Sequence, residues 1–214
     1  MLALKPALKR PVVGSTIALA TWMVALPTCA RADVGELSLR PHTELRQGPL
    51  RHPDPSGQSV ASDGDGLRYG GGLGLGLGVA FPWTLTLGYT WDTTAQLRRR
   101  PVDPRASQDL DRWTQDRHSL LAGVTWTPSD EWTPLISLEG GLTATHLRDI
   151  HAERGDQLAE RRDAILEWAP VARASVGIEY KFLDFWSVAV QGFGEHADGL
   201  GYGLRLWLGS YRYL

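Results

Sequence analysis

Leu73-Gly74-Leu75-Gly76-Leu77-Gly78-Val79, followed after Phe81-Pro82-Trp83 by Leu85-Thr86-Leu87-Gly88-Tyr89-Thr90-Trp91, sets a large apolar or aromatic residue at every second position. Between them stand glycine and threonine. Successive side chains of a strand point to opposite faces, so each stretch has one greasy face and one small or polar face. Apolar outside and polar inside is the pattern of a β-barrel that sits in lipid.

Six further stretches alternate in the same way. The strands are predicted at about 34–46, 67–81, 83–96, 116–127, 132–146, 166–181, 185–196 and 199–213. Residues 47–66, 97–115 and 147–165 are then long and charged connections, whereas Phe81-Pro82-Trp83, Pro128-Ser129-Asp130-Glu131 and Phe182-Leu183-Asp184 are short turns. A barrel of this kind has an even strand number, short periplasmic turns and longer external loops. The order of loops agrees with that rule, with a tight external hairpin at Ala197-Asp198-Gly199 and both ends of the barrel in the periplasm. The expected fold is an all-β, eight-stranded antiparallel up-and-down transmembrane barrel over residues 33–214.

Parity assigns the lipid-facing side chains: Leu37, Leu39 and Leu45, then Leu73, Leu75, Leu77 and Val79, then Leu85 and Leu87. Later strands contribute Leu120, Ala122, Val124, Ile136, Leu138, Leu142, Ala172, Ala174, Val176, Ile178, Val188, Val190, Leu204, Leu206 and Leu208. Aromatic residues sit at the ends of these runs. Phe81, Trp83, Trp126, Trp132, Tyr180 and Trp186 flank the short turns, and Tyr69, Tyr89, Trp91, Trp168 and Tyr202 lie at the opposite ends. Two girdles are expected, because an amphipathic ring prefers the headgroup level. The competing reading is a soluble sandwich with aromatics scattered through its core. It would leave the alternating glycines, threonines and charges facing outward in strict order.

The opposite parity fills the interior. Its members are Glu36, Ser38, Arg40, His42 and Glu44; the alternating glycines of 70–78; Thr84, Thr86 and Thr90; Ser137, Glu139 and Thr143; Arg173, Ser175, Glu179 and Lys181; Gln191, Phe193 and Glu195; and Arg205. An eight-stranded barrel is just wide enough for side chains to fill. Charges in so narrow a space need partners to offset their desolvation. An ion-pair network around Arg40, Glu139, Arg173, Glu195 and Arg205 is therefore expected, a proton or ion path being the functional alternative. The glycine stripe reads as room for long residues such as Arg205 or Phe193. A phosphate-binding loop would need the glycines between a strand and a helix.

The first 32 residues read as a secretory signal: Lys5, Lys9 and Arg10, an apolar run from Pro11 to Leu26, and Ala30-Arg31-Ala32 as cleavage site. The run is too short and interrupted for a good transmembrane helix. Pro27-Thr28 before Cys29 makes a poor lipobox. Cleavage would leave 182 residues without cysteine, and take the basic count from 22 to 18 against 24 acids, a formal charge of −6. Disulfide stapling is excluded by that count, and a negative chain without a basic strand face argues against nucleic acid. The mean hydropathy of −0.21 fits strands in which every second residue meets lipid.

Together these residues resemble the small eight-stranded outer-membrane barrels of Gram-negative bacteria, the group that includes OmpX and the OmpA membrane domain. The resemblance covers the whole mature chain and is architectural. It implies residence in the outer membrane, assembly by the barrel-assembly machinery, and contact with lipid and lipopolysaccharide as a monomer. One departure stands out. Such barrels usually close on a terminal aromatic, whereas this chain ends Trp207-Leu208-Gly209-Ser210-Tyr211-Arg212-Tyr213-Leu214. Either a bulge changes the parity there or the closing signal is degenerate.

Some barrels of this group act on lipid A or phospholipid with a Ser-His-acid set. Here His118 and Ser119 are adjacent on a strand and face opposite sides. The His-x-Ser spacing of the lipid A deacylases is absent. His196 stands near the external rim with Glu195 and Asp198, and Ser107 could approach it only from a loop, so His196 is the single weak catalytic candidate. In the loops, Arg98-Arg99-Arg100, Arg105, Arg112, Arg148, Arg154, Arg161 and Arg162 are interspersed with acids. They suit lipopolysaccharide phosphates or simple solvation. Asp63-Gly64-Asp65-Gly66 is a fragment of a calcium-loop pattern without the rest, so no metal and no cofactor are expected. The expected function is a structural or surface-interaction role through the external loops, with a lipid-modifying enzyme or a narrow channel as alternatives.

Overall fold

A computed structural model of the chain describes residues 35–53, 59–99, 110–128, 131–154, 157–162, 165–182 and 185–213. The expected signal peptide, Cys29, Ser107 and the terminal Leu214 lie outside them. The described residues form ten strands: β1 Glu36–Pro53, β2 Ser59–Ala80, β3 Trp83–Thr94, β4 Leu97–Arg99, β5 Leu110–Trp126, β6 Trp132–Arg154, β7 Gln157–Arg162, β8 Ile165–Phe182, β9 Trp186–His196 and β10 Leu200–Tyr213. Every pairing is antiparallel. The ladder runs β1–β2–β3–β5–β6–β8–β9–β10 and returns to β1, where Glu36 opposes Tyr213 and Gln47 opposes Tyr202. An eight-stranded ring results, and closure leaves none of those strands with an unpaired edge over its barrel portion.

The alternation seen in the sequence is the alternation of burial. On β1, Ser38, Arg40, His42, Glu44, Arg46 and Gly48 are buried while each residue between them is exposed. Leucines that would fill the core of a water-soluble protein point outward instead: Leu45 is 48% exposed, Leu138 60% and Leu204 58%. Phe81, Trp83, Trp132, Tyr180 and Trp186 are exposed at the short-turn end, with Trp126 half-buried; Tyr69, Tyr89, Trp91, Trp168 and Tyr202 are exposed at the other. Trp132 and Tyr180 pack side by side with ring centroids 4.4 Å apart.

The structure departs from the sequence reading at the long connections. Residues 47–53 and 59–66 continue β1 and β2, 110–115 begin β5, and 147–154 continue β6, flanked by the short β4 and β7. Beyond the membrane both faces of a strand meet water, so apolar–polar alternation stops although the ladder does not. On β6 a bulge opposite Arg112–Thr114 carries Asp149 in the left-handed region (φ 50°). Aspartate tolerates that conformation better than most residues. The extra residue restores Ile150 to the inner side, where it joins Leu147 and Trp113 in a small apolar core above the barrel.

Two further expectations change. The register of β10 against β1 and β9 is unbroken from Leu200 to Tyr213, so no bulge resets the closing strand. Tyr211 is buried inside and Arg212 exposed. The glycine stripe makes room chiefly for its direct neighbours rather than for Arg205 or Phe193. A Cβ on Gly76 would come within 2.4 Å of Ser38 Oγ, and one on Gly72 within 2.7 Å of His42 Nε2 and 2.0 Å of the Tyr89 carbonyl.

Candidate functional site

The interior is built in tiers, each set by the parity of the strands around it. Nearest the short turns, Tyr211 donates a short hydrogen bond to Glu179, and Lys181 lies 4.7 Å from the Tyr211 ring and 3.8 Å from Glu36. Arg40 stands just above. Its guanidinium lies over Trp207 at 4.6 Å and Tyr211 at 5.8 Å. The expected placement of Arg40 within the ion-pair network is thus replaced by a cation–π seat, which an indole face supports in a desolvated setting. Leu135, Ala189 and Trp207 form an apolar cluster at this level. They are inward residues that the polar list omitted, although their parity marks them.

The middle tier holds the other four network residues. Glu44 Oε1 accepts from Arg173 at 2.8 Å and from Arg205 at 2.7 Å. Arg205 also faces Glu139 at 3.7 Å. Glu195 Oε2 accepts from Arg173 Nη2 at 2.7 Å and Nε at 3.0 Å. Phe193 lies among the guanidinium groups, 4.4 Å from that of Arg173 and 5.5 Å from that of Arg46. His42 Nε2 lies 3.3 Å from Thr90 Oγ1 and 3.7 Å from Glu44.

Above this tier comes a set of charges that the sequence reading missed. Arg46 reaches Asp92 at 2.7 Å and Glu195 at 3.0 Å. Arg68 meets Asp92 at 3.2 Å, and Arg117 meets Glu195 Oε1 at 2.7 Å while donating to Thr143 Oγ1 at 2.6 Å. The signal was present. Arg46 shares the parity of Glu44, Arg68 that of Gly70, Asp92 that of Thr90, and Arg117 that of Ser119. With these four, each of the eight ring strands supplies at least one charged side chain to the network: Glu44 and Arg46 on β1, Arg68 on β2, Asp92 on β3, Arg117 on β5, Glu139 on β6, Arg173 on β8, Glu195 on β9 and Arg205 on β10.

At the mouth, β1 leans inward. The Arg51 amide donates to Gln115 Oε1 at 2.9 Å, and the Trp113 indole donates to the Arg51 carbonyl at 2.8 Å. The Arg51 guanidinium pairs with Glu167 and, at 3.1 Å, with Asp198. One residue of β1 therefore ties together β5, β8 and the β9–β10 turn.

His118 and Ser119 lie on opposite faces: His118 Nδ1 is 2.6 Å from the Tyr89 hydroxyl on the outer surface, and Ser119 Oγ is 3.1 Å from Thr143 Oγ1 inside. His196 is exposed at the end of β9, opposite Leu200 and Ala172 in the ladder. Glu195, its neighbour in sequence, is turned inward and occupied by arginines. Among the described residues, no group of three or more His, Cys, Asp or Glu could hold a metal ion.

No protein-family model matches the chain, and no curated protein matches it in sequence. Solved structures do match in fold. Neisserial surface protein A aligns over 84% of this chain and 97% of its own, with a TM-score of 0.55 and 8% identity. Ail, the attachment invasion locus protein of Yersinia pestis, aligns over 85% of this chain and all of its own, with a TM-score of 0.48 and 12% identity. The amino-terminal β-barrel domain of Pseudomonas aeruginosa OprF aligns over 83%, with a TM-score of 0.44 and 14% identity. By its closed eight-stranded ring, its outward leucines and its likeness to the Neisserial barrel, the chain has the fold of the small outer-membrane β-barrels.

Proposed function

We propose that this chain is an integral outer-membrane barrel whose interior is closed by paired side chains, with both termini periplasmic, and that it acts at the cell surface through its external hairpins. The supporting observation is the network to which all eight ring strands contribute. Arg46, Arg173 and Glu195 are each nearly inaccessible to solvent, and their mutual bonds span the tube from β1 to β8 and β9. Buried pairs of this density occupy the space through which a solute would pass. Removing either partner would strand a charge.

The working parts are then the extended β1–β2 hairpin and the paired extensions at the start of β5 and the end of β6, whose charged residues suit a structural or interaction role with lipopolysaccharide or a surface partner. Assembly by the barrel-assembly machinery belongs to the same reading. Planar-bilayer recording of the purified, refolded protein tests it: a closed barrel gives no steady conductance, whereas discrete open events in wild-type protein would replace the closed barrel with a narrow channel. Incubation with lipid A and phospholipid tests the remaining alternative. Product formation lost in His196→Ala would make the protein a lipid-modifying enzyme.

A further inference from the structure

The lipid-facing surface is not uniformly convex. A groove of about 640 Å³ crosses β8, β9 and β10 on the outside of the barrel, within the size range of sites that hold a discrete ligand. Gly192, Gly194 and Ala174 form its floor. Leu138 and Val176 rise on one side, Leu204 and Leu45 on the other. These seven residues have outward parity, and inward-parity residues such as Arg46, Ser137, Ser175 and Phe193 also border the groove, so it is a dent in the apolar belt where the glycines thin the wall. A Cβ built on Gly194 meets nothing within 4 Å, and one on Gly192 meets only the Val176 carbonyl at 3.9 Å. Neither glycine is demanded by its own strand packing, which leaves the hollow itself unexplained by the fold.

We propose that this groove holds one acyl chain of lipopolysaccharide from the outer leaflet. The inference rests on the outer-membrane placement and orientation proposed above. The groove is continuous on both sides with the leucine surface that meets hydrocarbon, so its occupant is hydrocarbon. Its glycines lie in the half of β9 that ends at His196, and its upper margin is formed by Gln47 and the girdle residue Tyr202. That half faces the external leaflet. Lipid tails are as apolar as leucine, so no hydrophobic gain separates one chain from another. Selection comes from van der Waals contact: a chain that follows the hollow touches atoms on three sides, and an unfilled hollow forfeits those contacts.

The test compares three full-length proteins extracted from outer membranes in mild detergent: wild type, Gly194→Leu, which fills the groove, and Ala122→Leu, which adds a similar bulk to the outer face of β5. Gly192→Val serves as a second filling variant should Gly194→Leu fail to reach the membrane. Native mass spectrometry reads the lipid retained per barrel. Wild type and Ala122→Leu are expected to retain one lipopolysaccharide. In the filled variants the retained fraction falls about tenfold, equivalent to about 1.4 kcal/mol of lost fit. Equal retention in wild type and the filled variants would overturn the proposal, as would phospholipid as the retained species. Recovery of processed wild type as a soluble protein without detergent would instead overturn the membrane placement on which it rests.

Discussion

Glu195→Gln is the sharpest perturbation of the interior. The carboxylate of Glu195 accepts from Arg173 at 2.7 and 3.0 Å and from Arg46 at 3.0 Å, and it forms an ion pair with Arg117 at 2.7 Å. Glutamine keeps the shape but removes the charge, and it turns a hydrogen-bond donor toward three guanidinium groups. Bonds to charged groups contribute about 1.5–3 kcal/mol each when counted singly. Three such bonds and a further ion pair on one side chain are not additive. The applicable figure is the cost of breaking a buried ion pair by removing one partner, about 3–5 kcal/mol. Urea unfolding in lipid vesicles, followed by tryptophan fluorescence and by the heat-dependent gel mobility of folded barrels, measures it. The double variant Glu195→Gln/Arg173→Met should recover part of the loss, since the amide then faces one fewer cation. An unfolding free energy for Glu195→Gln within about 0.5 kcal/mol of wild type, the range of an inconsequential surface change, would refute the view that these contacts hold the barrel interior together.

Other consequences follow from the same geometry. Leu206→Arg, near the middle of the outward row of β10, should cost about 2–4 kcal/mol, and Tyr202→Arg at the girdle about 0–1 kcal/mol; equal costs in the same unfolding assay would mean that the row does not cross a bilayer. Gly72→Ala places a methyl group 2.0 Å from the Tyr89 carbonyl and should cost about 1–3 kcal/mol. Gly88→Ala, where the nearest atom is 3.9 Å away, should stay within about 0.5 kcal/mol. Arg51→Ala removes the pairs to Glu167 and Asp198, which are partly exposed, so global stability should fall by no more than about 1 kcal/mol. Amide hydrogen exchange in the β1–β2 hairpin beyond Pro49 should nevertheless quicken, and unchanged exchange there would show that Arg51 is not what holds the hairpin over the mouth.

The outer surface of this barrel could be read from sequence almost residue by residue. Leu73, Leu75, Leu77 and Val79 face outward because period-two alternation leaves a strand no other choice once one face is apolar. The same rule put Glu44, Arg173, Glu195 and Arg205 inside. Arg46, Arg68, Asp92 and Arg117 were left out of the expected network although all four fall within the expected strands and share the inward parity. Their parity was legible, but which opposite charge each one meets depends on residues far away in the sequence. The histidine and serine readings turned on the same principle: adjacency of His118 and Ser119 separated them across the wall.

Contacts between strands distant in sequence lay beyond any local pattern. That Arg40 rests on Trp207 instead of a carboxylate depends on which residue of β10 lies across from β1, a matter of register around the whole ring. That Arg51 binds β5, β8 and the β9–β10 turn depends on a hairpin leaning across the mouth. The dent at Gly192 and Gly194 exists because leucines on neighbouring strands stand taller than the glycines between them. A single strand encodes which way each side chain points, since that follows from its own backbone. Which partner waits there is set only when the ring closes, because closure alone fixes the relative heights of eight strands.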